Sequence, residues 1–311
     1  DYFVKDTDGM LMTLSLPQYV GEAIPVGNVG KMRNSGVEMD FGYRQNFGEL
    51  SIRLGANASW LKNKLISYGN DQGWANLDSF QGTGTITRAE NGLPFPYFYG
   101  YRTDGIIQNL AEANAYNSKY GTSLVPGDVR YVDVDQNGTI DENDRTKIGK
   151  GMPDWTYGVN LTATWRGFDF YIFFQGAAGN DIFDATRRID ALASNLPSYM
   201  LNRWTGEGTS NTMPRFVQAD PYNWQSSDLM VYDGSYFRLK NIQLGYTLPE
   251  KITRKAFISK FRVYVAAENL KTWTKYHGFD PEISSGGTSL GIDYGVYPQA
   301  RVWTVGCNLS F

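Results

Sequence analysis

The sequence predicts an all-β fold: an antiparallel transmembrane β-barrel, or a portion of one, with long extracellular loops. Three observations lead to this fold class. Apolar and polar residues alternate with a period of two in many segments, as they do in strands whose two faces have different surroundings. Aromatic residues make up 15% of the chain and gather at the ends of the apolar runs. Short links between the predicted strands alternate with long ones.

The alternation is clearest in three segments, residues 50–60, 155–166 and 303–311. In residues 155–166, one face carries Trp, Tyr, Val, Leu and Ala, whereas the other carries mainly Thr, Asn and Gly. Each run is about as long as the roughly 9–11 residues that a membrane-crossing strand needs. These segments are therefore predicted to be membrane-spanning strands.

Less regular alternation extends the prediction to about eight strands. They lie near residues 2–16, 28–47, 50–69, 152–166, 168–184, 233–248, 257–275 and 298–311. The short links fall near Gly48, near Gly167 and across 249–256, and the long links are 17–27, 70–151, 185–232 and 276–297. If Phe311 ends on the periplasmic side, every long link faces outward, which is the asymmetry of outer-membrane barrels.

The polar faces of these strands could meet the wet lumen of a barrel or, in a soluble β-sandwich, bulk water. Aromatic residues at the ends of apolar runs, such as Trp60 and Trp303, favour lipid because amphipathic rings settle at the membrane–water boundary. The barrel interpretation predicts charged residues that line the lumen or contact a plug: Arg53, Arg166, Arg262 and Glu268. A calcium-dependent carbohydrate-binding β-sandwich is the alternative.

Composition argues against several other functions. A net charge of −3 gives no basis for nucleic-acid binding, which needs a clustered basic surface. The chain has one histidine, His277, and one cysteine, Cys307. An outer-membrane enzyme would need a nucleophile–base pair, and no serine, cysteine or carboxylate pattern supports His277 as the base. We therefore predict no enzymatic activity, a surface-loop His277 and a lipid-facing Cys307.

The segment from Asp133 to Asp144, DVDQNGTIDEND, matches a calcium-binding loop, with oxygen ligands at alternate positions and a glycine at the sharp turn. The candidate ligands are Asp133, Asp135, Asn137, the backbone carbonyl of Thr139, Asp141 and Asp144. Ile140 stands where such loops need an apolar anchor, and Asp144 replaces the usual Glu. The alternative is a solvated acidic turn, since Asp, Asn and Gly are common in turns. We predict a structural Ca²⁺ in the loop 70–151.

Aromatic residues in the long loops are candidates for contact with a substrate. They are Tyr97, Tyr99, Trp204 and Trp224. Exposed rings can stack on sugars or fill the interface of a partner. Packing of these rings within the loops themselves is the equally weighted alternative.

Several long segments resemble the C-terminal barrel region of SusC-type (SusC/RagA) TonB-dependent transporters, in the right order over nearly the whole chain. The most specific are SYFRLKNIQLGYTLPEKI and FRVYVAAENLKTWTKYHGFDPE, and the ending WTVGCNLSF with its terminal Phe311 also matches. The resemblance implies a barrel of roughly 22 strands with a plugged lumen in the outer membrane of a Gram-negative bacterium. It also implies import of oligosaccharides or peptides, a SusD-like surface lipoprotein as a lid, and energy from TonB.

The plug and the TonB-contacting segment precede this region in the family and are not part of these residues. We therefore expect residues 1–311 to be the C-terminal part of the barrel, completed by an N-terminal plug and further strands. The loops 70–151 and 185–232 are expected to meet the substrate and the lipoprotein.

Overall fold

The computed structural model describes residues 1–13, 26–186, 197–217, 222–283 and 285–311. Within these ranges lie seventeen strands and two short α-helices. In chain order they are β1 (Tyr2–Thr13), β2 (Val26–Phe47), β3 (Leu50–Ser67), β4 (Trp74–Asn76), β5 (Thr87–Glu90), β6 (Tyr97–Tyr101), β7 (Thr103–Ile106), α1 (Leu110–Tyr120), β8 (Val129–Tyr131), β9 (Arg145–Gly149), β10 (Trp155–Trp165), β11 (Phe168–Ala178), β12 (Asp181–Asp184), β13 (Val231–Asp233), β14 (Tyr236–Thr247), α2 (Glu250–Thr253), β15 (Lys260–Thr274), β16 (Ile292–Asp293) and β17 (Val302–Ser310).

Eight of these strands form one antiparallel sheet in the order β1-β2-β3-β10-β11-β14-β15-β17. They are the eight strands that the alternation predicts, and each neighbours the next one along the chain. Residues 14–25, which hold the predicted end of β1 and most of the first long link, lie outside the described residues. Across the residues that the structure describes, no helix is long and apolar enough to cross a membrane.

One predicted strand, 168–184, is too long. Its β11 part ends at Ala178, and Gly179 follows with a φ of 79°, a left-handed conformation that interrupts extended backbone. Residues Asp181–Asp184 then leave the large sheet and pair with β13 and β16 instead. The predicted strand extends past this position, although Gly179 and Asn180 are residue types common in turns.

The register of the large sheet separates apolar from polar residues across neighbouring strands. One continuous row of directly opposed residues consists of Leu54, Leu161, Ile172, Ile242, Ala267 and Trp303. We call the face that bears this row the outer face. The opposite, inner face bears Arg53, which lies opposite Thr162, together with Arg262 and Glu268. Because successive residues point to opposite faces, a slip of one residue would exchange the two surfaces.

Among the described residues, the outer face has no second layer packed on it. Large apolar side chains stay open on it, including Val305 at 86% exposure and Trp303 at 67%. A sandwich would cover this face with a second sheet about 10 Å away. The sandwich alternative is therefore wrong, whereas an uncovered apolar band bordered by Trp165 and Phe168 suits lipid.

The short links all lie at one end of the sheet. In the β10–β11 hairpin, Arg166 and Gly167 have φ values of 46° and 87°. Positive φ at both central residues defines the hairpin turn whose twist matches the flanking strands. The prediction that Arg166 lines the lumen is wrong, because the residue lies in this turn and its guanidinium pairs with Glu49 of the neighbouring turn.

On the inner face, a charged pair spans three strands. The Arg262 guanidinium on β15 donates to both carboxylate oxygens of Asp169 on β11, at 2.8 and 2.5 Å. The pair passes over β14 at Gly245, where an added Cβ would lie 2.5 Å from the guanidinium and 2.6 Å from the carboxylate. Gly245 therefore leaves the space through which the two side chains meet.

We expect Gly245→Val to separate Asp169 from Arg262 and to destabilise the barrel by about 1–3 kcal/mol, as overpacking does. The matched control is Gly42→Val, since a Cβ at Gly42 on β2 meets nothing within 4 Å. The temperature at which the detergent-resistant folded form of the full-length protein is lost, seen as a shift on unheated gels, measures the effect. Equal temperatures for the two variants would contradict this role of Gly245.

Candidate functional site

The long links fold into a structured layer at the rim opposite the short turns. We call it the loop layer, and its described parts are residues 68–154, 179–186, 197–217, 222–235, 275–283 and 285–301. It contains a four-stranded sheet (β4-β5-β6-β9), a two-stranded sheet (β7-β8) and a three-stranded sheet (β13-β12-β16). The third sheet joins β12 and β13, which belong to the link between β11 and β14, to β16 of the link between β15 and β17, so these two links are packed together rather than independent.

The loop layer has its own hydrophobic core. Its largest cluster gathers Phe80, Ile86, Phe98, Phe183, Ala185, Met200, Trp224, Met230 and Ile292. Trp224 is only 4% exposed and belongs to this cluster. Tyr97 is 2% exposed, and its hydroxyl donates to Glu90 at 2.6 Å. Burial raises the pKa of Tyr97, and this hydrogen bond raises it further by a smaller amount.

This packing corrects two predicted substrate contacts. Rings that are buried in the core of the loop layer have no free face for a sugar or a peptide. Tyr97 and Trp224 are therefore packing residues, which agrees with the alternative that the aromatic rings pack within the loops themselves. A sequence shows that a loop is aromatic, but it does not show which rings the other loops will cover.

Tyr99 and Trp204 keep part of their surface open and stay candidate contacts. Tyr99 lies between two guanidinium groups, Arg88 at 4.5 Å and Arg145 at 4.7 Å from the ring centroid. Arg88 also stacks on Trp74 at 3.7 Å, which extends the series of alternating rings and cations. Such stacking holds Tyr99 rigidly, so its remaining surface presents a fixed shape.

The predicted calcium loop runs from the end of β8 to the start of β9. Carboxylate oxygens of Asp133, Asp135 and Asp144 lie within 4.8 Å of one another. Gly138 has a φ of 83°, as the sharp turn in a calcium loop requires. Ile140 packs against the cluster that includes Tyr131, which is the anchoring role predicted for it.

Hydrogen bonds draw the loop around these oxygens. Asp144 is fully buried, and its carboxylate accepts from the backbone amides of Val134 and Asp141 at 2.7 and 2.8 Å. Asp133 accepts from the backbone amides of Asn137 and Gly138 at 3.2 and 3.0 Å. No Lys or Arg of the described residues forms an ion pair with these aspartates. Converging carboxylates without a basic partner suit a hard cation with oxygen ligands.

The other predicted ligands surround the same turn. The Asn137 side chain donates to Asp135 at 3.0 Å and accepts from the Thr139 amide at 2.8 Å. Asp141 accepts from the amide of Asn143 at 2.7 Å and caps the turn before β9. Six candidate ligands thus share one turn, and whether they bind an ion stays a prediction.

His277 lies exposed in the link after β15, as predicted, but it has partners that the sequence analysis did not anticipate. Its Nε2 lies 3.2 Å from the Asp184 carboxylate, which itself is 1% exposed, and its ring packs against Tyr199 and Tyr232 at 4.2 and 4.4 Å. The expectation that no carboxylate accompanies His277 is therefore wrong. The ring bonds to this aspartate and to no serine or cysteine of the described residues, so the pair lacks the nucleophile that an enzyme of that type needs.

A buried ionic cluster connects the loop layer to the inner face. Arg238 on β14 is 1% exposed and donates to Asp280 at 2.5 Å, to Glu282 at 2.9 Å and to the Thr272 hydroxyl at 2.9 Å. Asp280 also accepts from the Gln299 amide at 3.0 Å. The link after β15 is thereby held over the inner face. Sequence reasoning missed this cluster, although it lies in the two segments with the most specific resemblance.

The sheet and the loop layer together define the class of protein: a section of a membrane-type β-barrel with a folded layer on one rim. No protein-family model matches the chain. It is 33% identical to TonB-dependent receptor P3 of Formosa agariphila, over the whole chain and 32% of that relative. It is 24% identical to TonB-dependent receptor SusC of Bacteroides thetaiotaomicron, over the whole chain and 30% of that relative.

Solved structures agree with these relatives. The RagAB peptide importer in its closed-closed state matches with a TM-score of 0.76 and 25% identity, over the whole chain and 33% of the matched chain. Its open-open state matches with a TM-score of 0.75 at the same identity. The chain is a homologue, over its whole length, of SusC-type TonB-dependent receptors, and it spans about one third of the relatives that it matches.

We expect Trp224→Ala to lower the free energy of unfolding of the loop layer by about 3–5 kcal/mol, the usual cost of removing a buried large aromatic ring. The eight-stranded sheet should stay intact. Tyr297→Ala is the control, because Tyr297 is an aromatic residue of the same layer with 87% exposure. Limited proteolysis of loop residues 197–217 on intact cells measures the change. If both variants resist protease equally, Trp224 is not a core residue.

Proposed function

We propose that this chain is part of an outer-membrane TonB-dependent importer of the SusC type, without enzymatic activity. The observation that carries the proposal is the sheet itself, with an uncovered apolar outer face, a polar inner face and a folded layer at one rim only. Lipid would cover the outer face, and the inner face would line a lumen. The relatives are named as receptors and importers, which supports transport rather than catalysis.

Completion of the transporter requires further components. The proposal assigns an N-terminal plug and the remaining barrel strands to the rest of the transporter, which would also contact TonB. A SusD-like surface lipoprotein would cover the loop layer, and RagAB, described as a peptide importer, supports such a pair. The cargo would be an oligosaccharide or a peptide, contacted by open aromatic surfaces such as those of Tyr99 and Trp204.

The proposal predicts that the loop layer faces the cell exterior. Ser118→Cys in α1 should react with a membrane-impermeant maleimide on intact cells, whereas Lys255→Cys in the short link after α2 should not. Both positions are exposed in the structure. The native thiol is removed with Cys307→Ala, since Cys307 is exposed on the outer face. Labelling of Lys255→Cys but not Ser118→Cys would contradict the orientation.

Extraction of the full-length protein from native membranes in mild detergent tests the assembly. We expect it to bring a surface lipoprotein with it, and uptake of labelled oligosaccharides and peptides by the same cells would identify the cargo class. Recovery of the polypeptide alone, without detergent, would reject the proposal.

We further propose that the loop from Asp133 to Asp144 binds a structural Ca²⁺. The convergence of Asp133, Asp135 and the buried Asp144 supports it. The ion would relieve the mutual repulsion of the carboxylates and hold the segment between β8 and β9 in shape.

Asp133→Asn with Asp135→Asn should reduce bound calcium from about one ion per chain to almost none, and should make the segment 129–149 sensitive to protease. The control, Asp71→Asn with Glu142→Gln, makes the same change in charge at exposed carboxylates outside the ligand set. Elemental analysis and proteolysis, with and without a chelator, provide the two readouts. Unchanged calcium content in the first variant would show that Asp133 and Asp135 do not bind calcium.

A further inference from the structure

A cavity of about 440 Å³ opens beside the outer end of β3, where the sheet meets the loop layer. Four lysines line it, Lys62, Lys64, Lys147 and Lys150, and Trp60 forms part of its wall. Asp154 is the single carboxylate in the lining. We call this cavity the lysine pocket.

The strand geometry explains why the lysines meet there. Residues 60, 62 and 64 of β3 point to the outer face, because no register shift interrupts that part of the strand. Lys147 and Lys150 come from β9 and the link before β10. The amide of Leu61 donates to the Asp154 carbonyl at 2.8 Å and fixes this link beside β3. Two segments far apart in sequence thus form one basic pocket.

The pocket holds more positive charge than the protein neutralises. Lys150 pairs with Asp154, but Lys62, Lys64 and Lys147 form no ion pair with any of the described residues. Loss of hydration lowers the pKa of Lys147, and repulsion from Lys150 lowers it further by a smaller amount. An anion in the pocket would relieve both effects.

The depth of the pocket indicates where that anion resides. Trp60 and Trp155 are paired directly across β3 and β10 at the end of the apolar outer face. Paired tryptophans at this position mark the boundary between hydrocarbon and headgroups. Given the rise of a tilted strand, Lys62 and Lys64 lie roughly 5 and 10 Å beyond that boundary. This is the level of lipid headgroups rather than of bulk water.

The rest of the transporter would leave the pocket open. It lies on the outer face between the third and fourth strands of the sheet, so at least two strands separate it from either edge. Further barrel strands would join at those edges, and a plug would occupy the inner side. Lipid is therefore the neighbour that this face meets.

We propose that the lysine pocket binds the phosphate group of an outer-leaflet glycolipid. The inference rests on the proposed function, because the loop-layer rim must face the cell exterior. Three unpaired ammonium groups offer a phosphate opposite charge and hydrogen-bond donors, and Trp60 can pack against the lipid beside it. Bound lipid would anchor the junction between the sheet and the loop layer at a fixed depth.

The test uses the full-length protein with Lys62→Gln, Lys64→Gln and Lys147→Gln combined. Its control combines Lys251→Gln, Lys255→Gln and Lys260→Gln, three exposed lysines at the short-link end. Each purified protein in detergent is titrated with monophosphorylated lipid A, with the same lipid after removal of phosphate, and with inorganic phosphate. Native mass spectrometry counts the bound lipid.

We expect the unmodified protein and the control to prefer the phosphorylated lipid, and the pocket variant to bind it about 100-fold more weakly. Equal lipid binding by the pocket variant would overturn the inference, as would inorganic phosphate that binds as tightly as the lipid. If the pocket variant no longer co-purifies with the surface lipoprotein but still binds lipid as before, the pocket binds a protein partner rather than a lipid.

Failure of the inference is distinguishable from failure of the proposed function. Orientation and uptake are measured in the unmodified protein, independently of lipid. A protein that inserts with its loop layer outside and imports cargo, yet retains no phosphorylated lipid, would contradict the lipid-binding proposal and leave the proposed function intact.

Discussion

The structure depends on backbone hydrogen bonding between strands that must also keep apolar and polar side chains apart. In lipid, a strand cannot leave its amides and carbonyls unpaired, so each membrane-facing strand needs neighbours in register. The row from Leu54 through Leu161 and Ile172 to Trp303 is the visible result. Every other feature is arranged around it. The short turns lie at one end of the eight strands, and the loop layer lies at the other end.

Beyond the rim, the same chain follows a different principle. The loop layer is not surrounded by lipid and must bury its own apolar residues, so it forms small sheets and a compact core. Phe98, Phe183 and Ile292 come from three separate links and meet in that core. The buried Arg238, held by Asp280 and Glu282, then fixes one of these links to the inner face. Removal of Arg238 would leave the buried Asp280 carboxylate without a counter-ion, so the cluster specifies position more than it adds stability.

The contrast between sheet and layer explains how much the sequence alone could predict. All eight strands of the sheet were predictable because period-two alternation is a local signal, and the acidic turn from Asp133 to Asp144 was recognisable as a local motif whose calcium ion stays a prediction. The end of β11, the turn position of Arg166 and the burial of Tyr97 and Trp224 were not predicted. The two burials depend on contacts with residues dozens of positions away, as the pairing of His277 with Asp184 also does, whereas the end of β11 and the Arg166 turn are set locally by residues with positive φ. Local sequence patterns predict where strands lie, but they do not predict which distant residues a loop will contact.

Several basic groups of the sheet have partners within the chain. Arg262 pairs with Asp169 on the inner face, and Arg33 pairs with Asp6 on the outer face. At the outer junction, Lys62, Lys64 and Lys147 share a pocket with a single carboxylate that is already paired with Lys150. The unmatched lysines are therefore best explained by a negative group outside the protein, at the level of the membrane surface where the paired tryptophans place them.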